Sequence, residues 1–135
     1  MVGRILDALD KSPYRDNTLV VLVSNNGYHM GQKDYKFKNS AWEESAHIPM
    51  VIAGPGIARG QTCYTPVSLI DLYPTFIDLC GLSKQAPPAP KLDGFSLVPL
   101  LKNPEAEKWD GPDVALTSVI PQDLTTGKKG IVPKK

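Results

Sequence analysis

The sequence predicts an α/β fold, and two apolar runs with strong punctuation around them carry that prediction. Thr18 to Val23 is short, continuous and rich in β-branched residues, so it reads as a strand covered on both faces rather than an alternating surface strand. Met50 to Ala53 reads as a second buried strand, closed by Gly54-Pro55-Gly56. A parallel pairing of these strands would require a right-handed connection.

The remaining elements follow in order. Residues 2 to 11 are expected as an amphipathic helix with Ile5, Leu6 and Leu9 on one face and Arg4, Asp7 and Lys11 on the other. Ser12-Pro13 stops it, because the residue before proline avoids the helical region. After the first strand comes a polar loop, then a short helix near 40 to 46 with Ser40 or Asn39 as its cap and Glu43 and Glu44 in its first turn. Thr65-Pro66 is read as a helix entry and Gly81 as the far cap. Leu69, Ile70, Leu72, Tyr73, Phe76, Ile77 and Leu79 cover so much of that helix that it is expected to wedge against the sheet, with Pro74 kinking or restarting it. Gln85 to Lys91 is a proline-rich connector, Ser96 to Leu101 a helical turn, and Val114 to Val119 a candidate strand.

Chemistry in an α/β fold belongs at the carboxyl ends of strands. The first strand ends in Asn25-Asn26-Gly27, and Lys33, Lys36 and Lys38 lie just beyond, a set suited to a bound anion with a hard cation beside it. On residue types alone, the Asn-Gly pair is also a hairpin signal and a lysine cluster usually marks a solvated loop.

The motif order goes further. Ser24-Asn25-Asn26-Gly27, Gly31-Gln32, Lys38, Trp42-Glu43-Glu44 and His47-Ile48-Pro49 resemble the sulfatase family. Its members carry Ser-Asp-His-Gly or Ser-Asp-Asn-Gly, then Gly-Glu, a lysine, an aromatic-Glu-Glu stretch and Arg/His-Val-Pro. Val2 to Leu9, Pro66 to Leu82 and Lys91 to Leu101 resemble flanking family segments, the last its Asp-Gly-x-Ser-Leu stretch. The resemblance implies that residues 1–119 are a partial sulfatase catalytic domain, a fragment of an alkaline-phosphatase-like three-layer sandwich with a mainly parallel sheet. Residues 120–135 are expected as a loose tail.

The resemblance also implies roles. Lys38 matches the family lysine that binds sulfate oxygens and stabilises charge on the leaving ester, so it is the candidate catalytic and substrate-binding residue. Lys33, Lys36 and His29 are further candidate contacts. Asn25 and Asn26 match two calcium-ligand positions. Asn26 fits the family pattern; Asn25 stands where a carboxylate is expected, which weakens calcium and removes a proton acceptor. Trp42 is expected in the core beneath the site, His47 as structural, and Glu43 and Glu44 as helix-dipole partners, since adjacent helical residues do not converge.

The family builds a formylglycine nucleophile from Cys-x-Pro-x-Arg. Cys63 lies in Cys-Tyr-Thr-Pro-Val and Cys80 in Cys-Gly-Leu-Ser-Lys, so this chain does not encode it. Cys80 is instead expected as a buried helix-end residue. The expected function is therefore that of a sulfuric ester hydrolase reduced to a portion that does not turn over alone. The alternatives are a non-catalytic anion-binding module and a piece of a related phosphatase, phosphodiesterase or phosphonate hydrolase. The partner class is a sulfated small molecule or glycan, with self-association or a missing complementary segment as a further expectation.

Composition fits this reading. The chain has 135 residues, 41% hydrophobic content and a net charge of +1. No aromatic-basic interleaving points to nucleic acid. No apolar run approaches ~20 residues, and the start reads as a charged helix rather than a signal peptide, although family members are often periplasmic, secreted or lysosomal.

Overall fold

The computed structural model describes residues 1–82, 91–106 and 108–119. The expected tail over 120–135 and most of the proline-rich connector lie outside the described residues. The chain divides into two compact units, one of residues 1–23 and 49–115, the other of residues 24–48 and 116–135.

In the first unit, α1 spans Val2–Asp10. Its end is sealed by Ser12, whose backbone N–H and hydroxyl both donate to the Leu9 carbonyl, at 2.9 and 2.8 Å. Strand β1, Val20–Val23, pairs antiparallel with β2, Met50–Ala53, in the register Val20 to Ala53 through Val23 to Met50. This pair is therefore not a parallel unit with a right-handed crossover. A mainly parallel sheet tolerates such a strand, because mixed sheets are common in large α/β folds. Nor is β1 covered on both faces: Leu22 is 52% exposed, and its partner on β2, Val51, is 56% exposed. An apolar run specifies a face that repels water, not the element that covers it. Gly54, with φ 155°, lets the chain leave β2 against Leu19, where a Cβ would press on that side chain.

The helix expected to enter at Pro66 begins later. Ser68 caps a 3-10 turn, Leu69–Asp71, by a reciprocal capping box with Asp71, and α2, Leu72–Leu79, continues from it. Pro74 falls in the first turn of α2, where a missing amide hydrogen costs no intrahelical bond. The change from 3-10 to α geometry just before Pro74 is the expected restart. Gly81, at φ 60°, closes α2, with the Leu82 N–H bonded to the Ile77 carbonyl at 2.9 Å. Cys80 is exposed rather than buried, as is Cys63.

Among the described residues the helix packs chiefly on α3, Val98–Lys102, rather than on the sheet as expected. Tyr73 is 63% exposed, while Leu97 and Leu100 are each 3% exposed and form the apolar core among the described residues. Polar groups lock this core. The Asp71 carboxylate accepts from Ser68 N at 2.7 Å and Phe95 N at 2.9 Å, and the fully buried Thr75 hydroxyl accepts from Leu97 N at 2.8 Å. Gly94 allows the approach, since a Cβ there would collide with the Ile70 carbonyl. Residues 114–119 form no strand.

Candidate functional site

The second unit holds every candidate site residue. From Ser24 the chain makes a tight turn, the Ser24 hydroxyl donating to the Asn26 carbonyl at 2.6 Å. Gly27 then runs along a single helical turn, α4, Glu43–Ala46, with its N–H on the Ser45 carbonyl at 2.9 Å. A Cβ on Gly27 would collide with the Glu44 carbonyl, so this glycine serves close approach rather than a hairpin turn.

Residues 29–37 fold back on themselves. His29 N donates to the Phe37 carbonyl at 2.9 Å and Gly31 N to the Tyr35 carbonyl at 3.2 Å, closing a narrow loop whose tip is a 3-10 turn over Gln32–Asp34. At the tip Lys33 and Asp34 both take left-handed backbone angles, φ 55° and 54°. Such angles disfavour side chains with a Cβ. Neighbouring bonds hold them: Met30 N to Gln32 Oε1 at 2.6 Å, Asp34 N to the Gly31 carbonyl at 3.1 Å and Tyr35 N to the Gln32 carbonyl at 3.1 Å.

Lys33, Lys36 and Lys38 are all exposed on this loop. The Lys33 ammonium stands 5.1 Å from the Trp42 ring centroid, a cation–π distance. Trp42 itself is 44% exposed, so it forms a partly open platform rather than the core side chain expected from its size. It packs edge-on against His29 and Tyr35, at centroid distances of 5.3 and 6.2 Å.

His29 has no exposed surface. Its Nε2 lies 2.9 Å from Ser40 Oγ and 3.9 Å from Glu44 Oε2, and its Nδ1 has no hydrogen-bond partner among the described residues. Ser40 does not cap α4 with its side chain as a usual N-cap; Trp42 is the N-cap residue. The Ser40 hydroxyl instead joins His29 Nε2, Ser45 Oγ at 2.8 Å and the Trp42 N–H at 3.3 Å. Sequence reading identified His29 and Trp42 but missed Ser45 and this use of Ser40. A serine just ahead of a helical turn looks like a cap until its neighbour in space is known.

Asn25 is exposed and Asn26 half-buried, and their side chains face each other, Asn26 Nδ2 donating to Asn25 Oδ1 at 2.9 Å. Calcium takes roughly six to eight oxygens, several of them carboxylate. Two neutral amides, one oxygen already engaged, do not fit that demand by themselves. Among the described residues no cluster of three His, Cys, Asp or Glu side chains could hold a metal ion. His47 is exposed and pairs with Glu43 at 3.1 Å across one helical turn, and these two with Glu44 line a shallow concavity.

The family described as Sulfatase matches residues 1–82. A sulfatase of Formosa agariphila is 38% identical over 107 residues, covering 79% of this chain and 20% of its own length. The choline-sulfatase of Rhizobium meliloti is 40% identical, over 77% of this chain and 20% of the relative. Arylsulfatase K of Canis lupus familiaris is 40% identical, over 74% and 18%. Among solved structures, BT4656 in complex with its substrate D-glucosamine-2-N,6-O-disulfate superposes with a TM-score of 0.67 at 33% identity, over 76% of this chain and 20% of that one. BT1596, a 2-O GAG sulfatase, gives 0.65 at 31%. The chain thus spans about a fifth of the length of the relatives it matches, and over that span it shares the alkaline-phosphatase-like α/β fold of these structures.

Proposed function

The chain belongs to the sulfatase family, and on that premise we propose that it supplies the lysine-bearing wall of a sulfuric-ester site, taking a sulfated small molecule or glycan. The supporting observation is the loop of residues 29–38, which holds Lys33, Lys36 and Lys38 in solvent on a frame of the buried His29, its bonded Ser40 and the partly open Trp42. In this reading Lys38 binds the sulfate oxygens and stabilises charge as the ester oxygen leaves, with Lys33 as a second contact. A compact ammonium suits that task because it neutralises the oxyanion without demanding a planar fork.

Residues 1–119 are read as part of a catalytic domain. No residue of the sequence stands in a Cys-x-Pro-x-Arg or Ser-x-Pro-x-Arg setting, so these 135 residues are proposed to bind without turning over. Calcium and formylglycine are family cofactors; with Asn25 in place of a carboxylate, calcium retention is proposed to be weak. That same asparagine favours the second reading, a sulfated-ligand binder without hydrolysis. The spacing of Glu43-Glu44 and His47-Ile48-Pro49 supports the sulfatase branch over a related phosphatase or phosphodiesterase.

Self-association, or pairing with a complementary sulfatase-domain segment, is proposed to cover exposed apolar residues such as Ile5, 65% exposed, and Val51, 56% exposed. A monomer by light scattering that binds no apolar-surface dye would count against it. The central test is titration of the full chain with a sulfated glycan at two salt concentrations. Salt-sensitive binding that falls about tenfold or more in Lys38→Ala is expected, one lost charge-assisted contact; unchanged affinity in that variant rejects the reading.

A further inference from the structure

We propose that His29 is a positioning residue: through Ser40 and Trp42 it sets the place of the Lys33 ammonium on the anion-binding loop. The functional consequence rests on the loop being an anion site, but the positioning does not.

Two consecutive residues with side chains, Lys33 and Asp34, hold left-handed angles at the loop tip, a conformation that persists only where the surroundings over-determine it. A solvated loop free of constraint would relax. The hydrogen bonds within residues 29–37 define the loop's path but do not choose where the Lys33 side chain goes. That choice is made by Trp42, over which the ammonium sits at 5.1 Å.

Trp42 in turn is held from two sides by one group. The imidazole of His29 meets its ring edge-on at 5.3 Å. Ser40 Oγ, bonded to His29 Nε2 at 2.9 Å, also accepts the Trp42 N–H at 3.3 Å and pairs with Ser45 Oγ at 2.8 Å. The fully buried imidazole therefore fixes both the backbone and the ring face of the residue that receives Lys33. His29 touches no solvent, so any effect it has on a bound anion is indirect and passes through the groups it contacts, Ser40 and Trp42 in this relay and Tyr35 beside it at 5.2 Å. An aromatic of similar shape could fill its space but could not bond Ser40; glutamine could bond Ser40 at the Nε2 position without the ring.

Trp42 reports the arrangement directly, because a cation over an indole perturbs its emission. With the second tryptophan, Trp109, replaced by phenylalanine throughout, emission of the full chain is compared with and without Lys33→Met. The parent and His29→Gln are expected to shift on losing Lys33, whereas His29→Phe and Ser40→Ala, with unchanged far-UV circular dichroism, are expected to show no shift. Ser40→Ala attacks the relay from its other end and keeps the buried ring, so a folding failure of one variant leaves the other informative. Titration with D-glucosamine-2-N,6-O-disulfate is expected to show affinity about three- to tenfold weaker in His29→Phe, Ser40→Ala and Lys33→Met alike, with recovery in His29→Gln. An equal Lys33→Met emission shift in His29→Phe and Ser40→Ala, or none in the parent, overturns the proposal. If the emission pattern holds but Lys38→Ala binds as the parent does, the sulfate reading fails and the positioning stands.

Discussion

Thr75→Val tests whether the polar lock, rather than apolar packing, holds residues 95–97 to α2. Valine keeps the shape of threonine and removes only the hydroxyl. In the native chain that hydroxyl donates to the Asp71 carbonyl and accepts the Leu97 N–H at 2.8 Å, at a position with no exposed surface. After substitution the Leu97 amide has lost its acceptor and water cannot reach it. A buried donor left without a partner costs about 1–3 kcal/mol. If opening of this segment limits exchange, the Leu97 amide should exchange roughly 5- to 150-fold faster. Thr75→Ser is the control: it gives up one methyl, worth about 1 kcal/mol, but keeps the acceptor. Amide exchange read by NMR on both variants, beside urea unfolding, separates the two effects. Acceleration at Leu97 beyond what each variant's loss in urea stability explains is expected for valine and not for serine. Equal protection of Leu97 in Thr75→Val and the parent would refute the reasoning, because packing would then hold the segment unaided.

Other outcomes follow from single contacts. Gly27→Ala drives a Cβ into the Glu44 carbonyl and should cost about 1–3 kcal/mol, with loss of the loop's amide protection around His29; native-like protection would show that α4 can move aside. Asn25→Asp adds a carboxylate where two neutral amides now face each other, and calorimetry should show calcium affinity rising about tenfold. Tight calcium binding by the parent chain would contradict the argument from neutral donors. In the sulfated-glycan titration, Lys38→Ala should lose affinity and salt sensitivity together, since the same charge supplies both.

Much of the architecture was legible because local physics decides it. Ser12-Pro13 ends a helix wherever it occurs, Gly54-Pro55-Gly56 ends a strand, and the Ser24 to Pro49 motif string carries the family by itself. Where the sequence reading went astray, the missing information was a partner in space. Pro66 looked like a helix entry, yet the reciprocal bonds of Ser68 and Asp71 start the helix later. Cys80 was expected buried at the helix end because free cysteine is among the most buried residue types, yet it caps α2 in solvent.

Sequence alone determined the family, the lysine loop and the departure at Asn25, because each is a matter of which residue types stand in which order. Only the tertiary structure decided that β1 and β2 run antiparallel, that Ser40 serves His29 rather than a helix end, and that Lys33 rests on Trp42. Those outcomes depend on hydrogen bonds and ring contacts between residues distant in sequence, Val20 and Ala53 among them, and closing such loops costs similar entropy for many pairings. The pairing that forms is the one in which buried polar groups find partners, a criterion that no local pattern of residues expresses.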